Sequence, residues 1–205
     1  MTHRVLTIQS SARIEGSYSR LLVDEFAGQL CDSGGHWSRT NRDLTSEPVP
    51  ALQPDTVDAI RTAQPNDEQR RAAALSETLI GELQSADLVV VGAPMYNWGI
   101  AASLKAWIDQ IVRIGHTYAH GPQGISGLMR NRPAIVVATR GGLYSAPDKA
   151  AYDFQIPYLR MVLGAIGFRS EFVVCEGTLT GGDTLQGALE HARRTLTELA
   201  QRHRA

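Results

Sequence analysis

The apolar residues of this chain follow two alternating periods, and the sharpest change of period lies in Asp87-Leu-Val-Val-Val-Gly-Ala-Pro-Met-Tyr-Asn-Trp-Gly99. Leu88 to Ala93 is an almost unbroken apolar run, as a strand buried on both faces of a parallel sheet requires. From Ile100 to Ile114 the spacing turns helical and places Leu104, Trp107, Ile108 and Ile111 on one side. The same alternation recurs throughout. Arg4 to Gln9 predicts a first strand. Ser19 to Leu30 predicts a helix with Leu21, Leu22, Phe26 and Leu30 on one face and Ser17 or Ser19 as its cap. Trp37 to Leu44 reads as a weaker, edge-type strand. Ser46 to Thr62 holds three prolines and no clear period, so a long loop is expected there. Gln69 to Leu83 is an amphipathic helix introduced by Pro65, Asp67 and Glu68. Gly115 to Asn131 is glycine-rich and reads as a loop or hairpin. Ala134 to Thr139 predicts another buried strand and Phe154 to Ile166 a helix. Phe172 to Cys175 is the last strand and Leu185 to His203 the last helix.

Strands that alternate with helices imply βαβ units, hence a parallel sheet with helices on both faces. Ligands of such sheets bind outside the carboxyl ends of the strands. The loops after the first, third and fourth strands therefore carry the candidate chemistry. The first, Ser10-Ser-Ala-Arg-Ile-Glu-Gly-Ser-Tyr-Ser19, is rich in hydroxyls and runs into a helix N-terminus. Free N–H groups there, with Ser10, Ser17 and Ser19, suit a phosphate. Neither GxGxxG nor GxxxxGK[ST] is present, which disfavours a dinucleotide pyrophosphate and NTP hydrolysis at this loop. The second loop, Pro94-Met-Tyr-Asn-Trp-Gly99, offers an aromatic plane and an amide. The third, Thr139-Arg-Gly-Gly-Leu-Tyr144, places two glycines directly after a buried strand, which permits φ > 0 and lets the backbone approach a ligand closely. Read alone, each loop is also an ordinary cap or turn; together they suit a flat heteroaromatic cofactor with a phosphate.

Composition narrows the partners. The 205 residues suffice for one domain, 1–205, with a proper core. Twenty basic residues against 21 acidic give a net charge of −1, so no nucleic acid is expected as partner. Cys31 and Cys175 match no metal spacing and read as buried free thiols of a cytoplasmic protein. The start Met1-Thr-His-Arg-Val-Leu lacks a signal-peptide pattern, and no apolar run approaches the roughly 18 residues of a membrane span.

At these residues the sequence resembles the FMN-dependent NADH-azoreductase family, flavodoxin-like NAD(P)H:quinone oxidoreductases. The resemblance rests on Ser10-Ser11, Ser17-Tyr18-Ser19, Ala93-Pro94-Met95-Tyr96-Asn97, Leu104 to Asp109, and Arg140-Gly141-Gly142. It continues through Pro157-Tyr158-Leu159, Gly164 to Gly167 and Glu176-Gly177. It implies a three-layer α/β fold with a five-stranded parallel sheet in the order 2-1-3-4-5. It implies FMN, its phosphate held by Ser10 and by Ser17, Tyr18 and Ser19. Pro94, Met95, Tyr96, Asn97 and Trp98 would line its ring, with Thr139, Arg140, Gly141, Gly142 and Tyr144. It further implies a homodimer with active sites at the subunit interface. A ping-pong cycle would carry electrons from NADH or NADPH to quinones and azo compounds. Trp98 stands where phenylalanine is frequent, and the segment around Tyr118 and His120, the expected substrate wall, is shorter than usual.

No catalytic triad, carboxylate pair or metal cluster is legible, as expected where a cofactor carries the reaction. His3, His36, His191 and His203 are expected to be solvent-exposed. His116 and His120 read as loop surface or substrate contacts. Arg140 reads as a partner for ligand charge or as a surface salt bridge, and Lys105 with Asp109 as a local ion pair. The alternatives are an FMN quinone or nitro reductase without azo activity and a flavodoxin-type electron carrier. Near-neutral charge disfavours the carrier.

Overall fold

The computed structural model describes residues 2–32, 36–62, 64–122 and 124–204; Met1 and Gln123, each inside a segment read above, lie outside them. Five parallel strands make the central sheet: β1 (His3–Gln9), β2 (Trp37–Asp43), β3 (Leu88–Pro94), β6 (Arg132–Thr139) and β7 (Phe168–Cys175). Their order is β2-β1-β3-β6-β7, and β4 (Tyr118–Gly121) and β5 (Gly124–Gly127) pair separately as an antiparallel hairpin. The expected order 2-1-3-4-5 thus becomes 2-1-3-6-7, because the hairpin adds two strands before the fourth sheet strand. The helices are α1 (Tyr18–Cys31), α2 (Pro54–Arg61), α3 (Asp67–Ser85), α4 (Ala102–Ile111), α5 (Ile156–Ala165) and α6 (Gly182–Arg204).

β3 is buried at every position, as its apolar run requires. One face of the sheet packs Leu6, Ile8, Val89, Val91 and Val136 against Leu79, Leu83, Trp107 and Leu163 from α3, α4 and α5. The other packs Val5, Val90, Ile135 and Val137 against Leu22, Phe26, Leu196 and Leu199 from α1 and α6. Burying a branched side chain of this kind is worth about 1.5–3 kcal/mol, so both layers are held chiefly by the sheet's own alternation.

Three expectations fail for identifiable reasons. The loop over Ser46 to Thr62 contains α2, in which Pro54 takes the first turn, where a missing N–H costs nothing, and Asp55 and Arg61 suit the helix dipole. The last strand begins at Phe168 and not at Phe172, because its half-exposed Arg169, Ser170 and Glu171 hide the pattern. α4 stops at Ile111, short of the predicted Ile114; Thr117 Oγ1 accepts from the Arg113 N–H at 2.9 Å and turns the chain. Among the described residues no helix is long and apolar enough to cross a membrane.

Candidate functional site

The serine loop is held from outside. Arg20, nearly buried in α1, donates from Nη1 and Nη2 to Asp43 at 2.6 and 2.8 Å. The same guanidinium donates to the carbonyls of Ser11 (2.8 Å) and Arg13 (3.1 Å). Thr45 Oγ1 adds a bond to the Ser11 carbonyl at 2.7 Å, and Ser103 Oγ one to the Ser10 carbonyl at 3.3 Å. With the loop's carbonyls engaged, what it offers a ligand is donors. Ser17 caps α1 and lies 3.2 Å from Ser19 Oγ, and the first turn of that helix carries no acidic residue to compete for its N–H groups. Ser10 differs from expectation: its hydroxyl is fully buried and donates to the Gly92 carbonyl at 2.6 Å. Its donor therefore serves the joint between β1 and β3. Arg20 holds the Asp43 carboxyl down to about 2, chiefly through their hydrogen bonds.

The second loop is a strained turn. Tyr96 and Gly99 exchange backbone bonds of 3.0 and 3.1 Å around Asn97 and Trp98, whose φ values are +47° and +68°. A two-residue loop with both central residues left-handed is the I′ kind, ordinarily filled by Asn-Gly. Asparagine tolerates the region; tryptophan there is strained by about 1–2 kcal/mol. Such strain persists where the surroundings impose it, and such positions cluster at functional sites. Tyr96 and Trp98 are both exposed, and the Tyr96 hydroxyl lies 3.4 Å from Ser11 Oγ, joining this turn to the serine loop.

In the third loop Gly141 and Gly142 do not use the positive φ that glycine permits. They are glycines for want of space. A Cβ on Gly141 would stand 2.5 Å from Leu179, and one on Gly142 3.2 Å from the Tyr144 ring. Among the described residues their N–H groups have no protein partner. Arg140 is neither a surface ion pair nor a free charge for a ligand. Its side chain is 1% exposed, and its three nitrogens are occupied by Gln155, Glu176 and Asp153. Thr139 and Pro94 are buried, and Met95 extends the pairing of β3 with β6 through a 2.8 Å bond to the Thr139 carbonyl.

A cleft of about 630 Å³ opens at this edge, lined by Ala12, Leu44, Thr45, Tyr96, Asn97 and the residues from Ile100 to Ser103. Pockets of roughly 300–1,000 Å³ hold small molecules and cofactors. Tyr118 and His120 are not brought here. They sit edge to face, 5.7 Å apart, on the hairpin, whose Tyr118 pairs with Gly127 beside Gly167, at the start of β6 and β7. That is the amino end of the sheet, so within one chain they do not wall this cleft. His203 is half-buried, 6.5 Å from the Trp37 ring, and burial pushes its pKa down, against the expected exposure. His116 Nε2 accepts from Arg113 Nη2 at 3.2 Å. Cys175 is buried and its thiol pKa is raised by that burial, whereas Cys31 is only half-buried. The Lys105–Asp109 pair forms as expected.

Known proteins share this sequence and fold. The family model for the flavodoxin-like fold matches residues 3–200. A protein of Azotobacter vinelandii named FMN-dependent NADH:quinone oxidoreductase is 42% identical over 96% of this chain and 99% of its own. The chain belongs to the family of FMN-dependent NADH:quinone oxidoreductases. A second member, from Hyphomonas neptunium and of the same name, is 36% identical over 96% of this chain and 95% of its own. The crystal structure of an azoreductase from Bacillus anthracis superposes with a TM-score of 0.89 at 25% identity, covering 98% of this chain and all of that one.

Four side chains that hold the loops of this oxidoreductase-family site went unread in the sequence: Arg20, Asp43, Asp153 and Gln155. Arg20 and Asp43 are 23 residues apart, and no local spacing links them. Asp153 did carry a signal. A carboxylate two and three residues before N–H groups at a helix start is a capping pattern, and its Oδ1 accepts from Gln155 and Ile156 at 3.0 Å each.

Proposed function

We propose that this chain is an FMN-dependent NAD(P)H:quinone oxidoreductase of one domain that also cleaves aromatic azo compounds by a ping-pong cycle. The observation that carries the reading is the meeting, at one sheet edge, of an open-donor helix start and a strained aromatic turn, joined through Ser11 and Tyr96. The residues fit FMN. The start of α1 has hydroxyls, free N–H groups and no carboxylate in its first turn for a phosphate. The space over Gly141 and Gly142 admits no Cβ without displacing Leu179 or Tyr144.

Bound FMN supplies two-electron transfer between a nicotinamide and an acceptor. Ser17, with the N–H groups of Tyr18 and Ser19, would bind its phosphate, the Ser19 side chain itself being buried, and Ser10 fixes the strand joint beneath them. Met95, Tyr96, Asn97 and Trp98 orient the ring and shield it from water. Thr139, Tyr144 and the N–H groups of Gly141 and Gly142 receive its polar edge, where negative charge is stabilised by fixed donors. Arg140 acts from behind this edge. The protein works as a homodimer, since Tyr118 and His120, rooted at the far end of the sheet, reach an acceptor only in a second copy. The free thiols and the use of NADH or NADPH suit the cytoplasm.

The deciding experiment is the visible spectrum of the purified protein with FMN before and after anaerobic NADH. Bleaching of the flavin band is expected. A protein that fails to bind FMN ends the reading, and one that binds FMN but is not reduced leaves an electron carrier. Steady-state rates with menadione, a nitrofuran and methyl red then assign the acceptors, and parallel double-reciprocal lines identify the ping-pong order.

A further inference from the structure

Arg140 closes β6 with its guanidinium inside the protein. Nε donates to Gln155 Oε1 at 3.1 Å, Nη1 to Glu176 Oε1 at 2.8 Å and Nη2 to Asp153 Oδ2 at 2.8 Å. Each acceptor carries the contact onward. Gln155 Nε2 donates to the carbonyl of Ala93, in the strand that leads into the aromatic turn, at 2.8 Å. Glu176 Oε1 accepts the N–H groups of Tyr144 at 2.9 Å and Ser145 at 3.0 Å, beyond the two glycines. Asp153 precedes Phe154, whose N–H donates to the Trp98 carbonyl at 3.1 Å. A buried cation is held only where it is paired, and three acceptors, two on the 153–155 segment and one just beyond β7, suit a planar fork that lysine does not possess.

We propose that Arg140 is a positioning residue that clamps the Gly141–Ser145 cradle to the Tyr96–Gly99 turn, so that the two walls of the site move as one body. Its catalytic meaning rests on the FMN reading above; its geometry does not. One cation faces two carboxylates here. Losing a carboxylate charge is therefore milder than losing the cation, and Asp153→Asn should disturb the site less than Arg140→Met.

Hydrogen exchange of the FMN-free chain tests the clamp directly. Its reporters are the Tyr144 and Ser145 amides on one wall and the Phe154 amide on the other. In Arg140→Lys both sets should exchange about tenfold faster or more, as expected for a lost charge-assisted bond. Amides of Val89 and Val136 at the sheet centre should keep their protection. Should Arg140→Lys not fold, Gln155→Met removes both the acceptor of Arg140 Nε and the bond to the Ala93 carbonyl while leaving the two carboxylate pairs, and should still loosen both sets, to a smaller degree. FMN affinity, read by fluorescence quenching, should fall about tenfold with Arg140→Lys, and KM for menadione should rise more than kcat per bound flavin falls. One wall responding without the other, or unchanged FMN affinity, overturns the clamp. A wild-type chain that binds no FMN removes the proposed function instead, and the exchange result alone then decides whether the clamp exists.

Discussion

Asn97 carries two tasks: with Trp98 it shapes the turn, and it also lines the cleft, which Trp98 does not. The two can be separated because glycine occupies the left-handed region freely and alanine does not. Asn97→Gly should leave the stability of the FMN-free chain within about 0.5 kcal/mol, as Asn-Gly turns are well accommodated. Asn97→Ala should cost about 1 kcal/mol through backbone strain. Both should weaken FMN binding through the lost amide. Urea unfolding with an FMN titration of each variant checks this, and full-strength binding by Asn97→Gly would remove the side chain from the site. At this scale the sequence named the turn's residues but not their strain. Positive φ at a tryptophan is imposed by the Tyr96–Gly99 pairing and by the Phe154 bond to its carbonyl, and neither is written locally.

Among the elements, the strands were the most legible and the helix boundaries the least. β3 announces itself because both its faces are buried, whereas β7 and α2 are half solvated and their polar residues blur the period. α3 extends from Asp67 because Asn66 and Gln69 form a reciprocal capping box with bonds of 2.9 and 3.0 Å. Asn66→Ala should lower stability by about 1 kcal/mol, measured as a shifted urea midpoint with FMN affinity unchanged. β2 and α1 are tied by Asp43 and Arg20. The Asp43 pKa, about 2 when folded against 3.8 in its ordinary state, lies below its unfolded value. Its contribution is thus fully present above the unfolded value and is lost as pH falls from there toward 2. Asp43→Asn should cost about 1–2 kcal/mol at neutral pH and flatten the acid limb of the stability curve. An acid limb identical to the wild type would mean that the Arg20 pair has no share in it.

For the whole molecule, the alternation of strands and helices was enough to place three loops at one edge, and that placement survives. What single-chain reading could not supply is the position of the hairpin. Glycine-rich and short, it has little period of its own, and topology alone sends it to the opposite end of the sheet. The proposed role of Tyr118 and His120 as a substrate wall therefore requires a second copy of the chain. Exposed Trp98, Leu143, Phe154 and Leu179 surround the site and suit a covering surface. Sedimentation should give a particle of twice the chain's 22.3 kDa, and Tyr118→Ala should raise KM for menadione several-fold while FMN affinity stays unchanged. A monomer at micromolar concentration would refute the shared site.

The hairpin's anchorage has a consequence for how such a protein can change. At its base Gly127 lies against Gly167 so closely that a Cβ on Gly127 would stand 2.2 Å from the Gly167 nitrogen. Toward its outer end Gly121, Pro122 and Gly124 line a shallow pocket with Ile125 and Ser126. The base admits no variation, yet the tip can lengthen, shorten or exchange residues without altering the register of any sheet strand. Under the proposed function, acceptor range would lie on a segment that mutation can explore cheaply, and a library confined to residues 119–126 is where an engineer would seek new dyes or quinones.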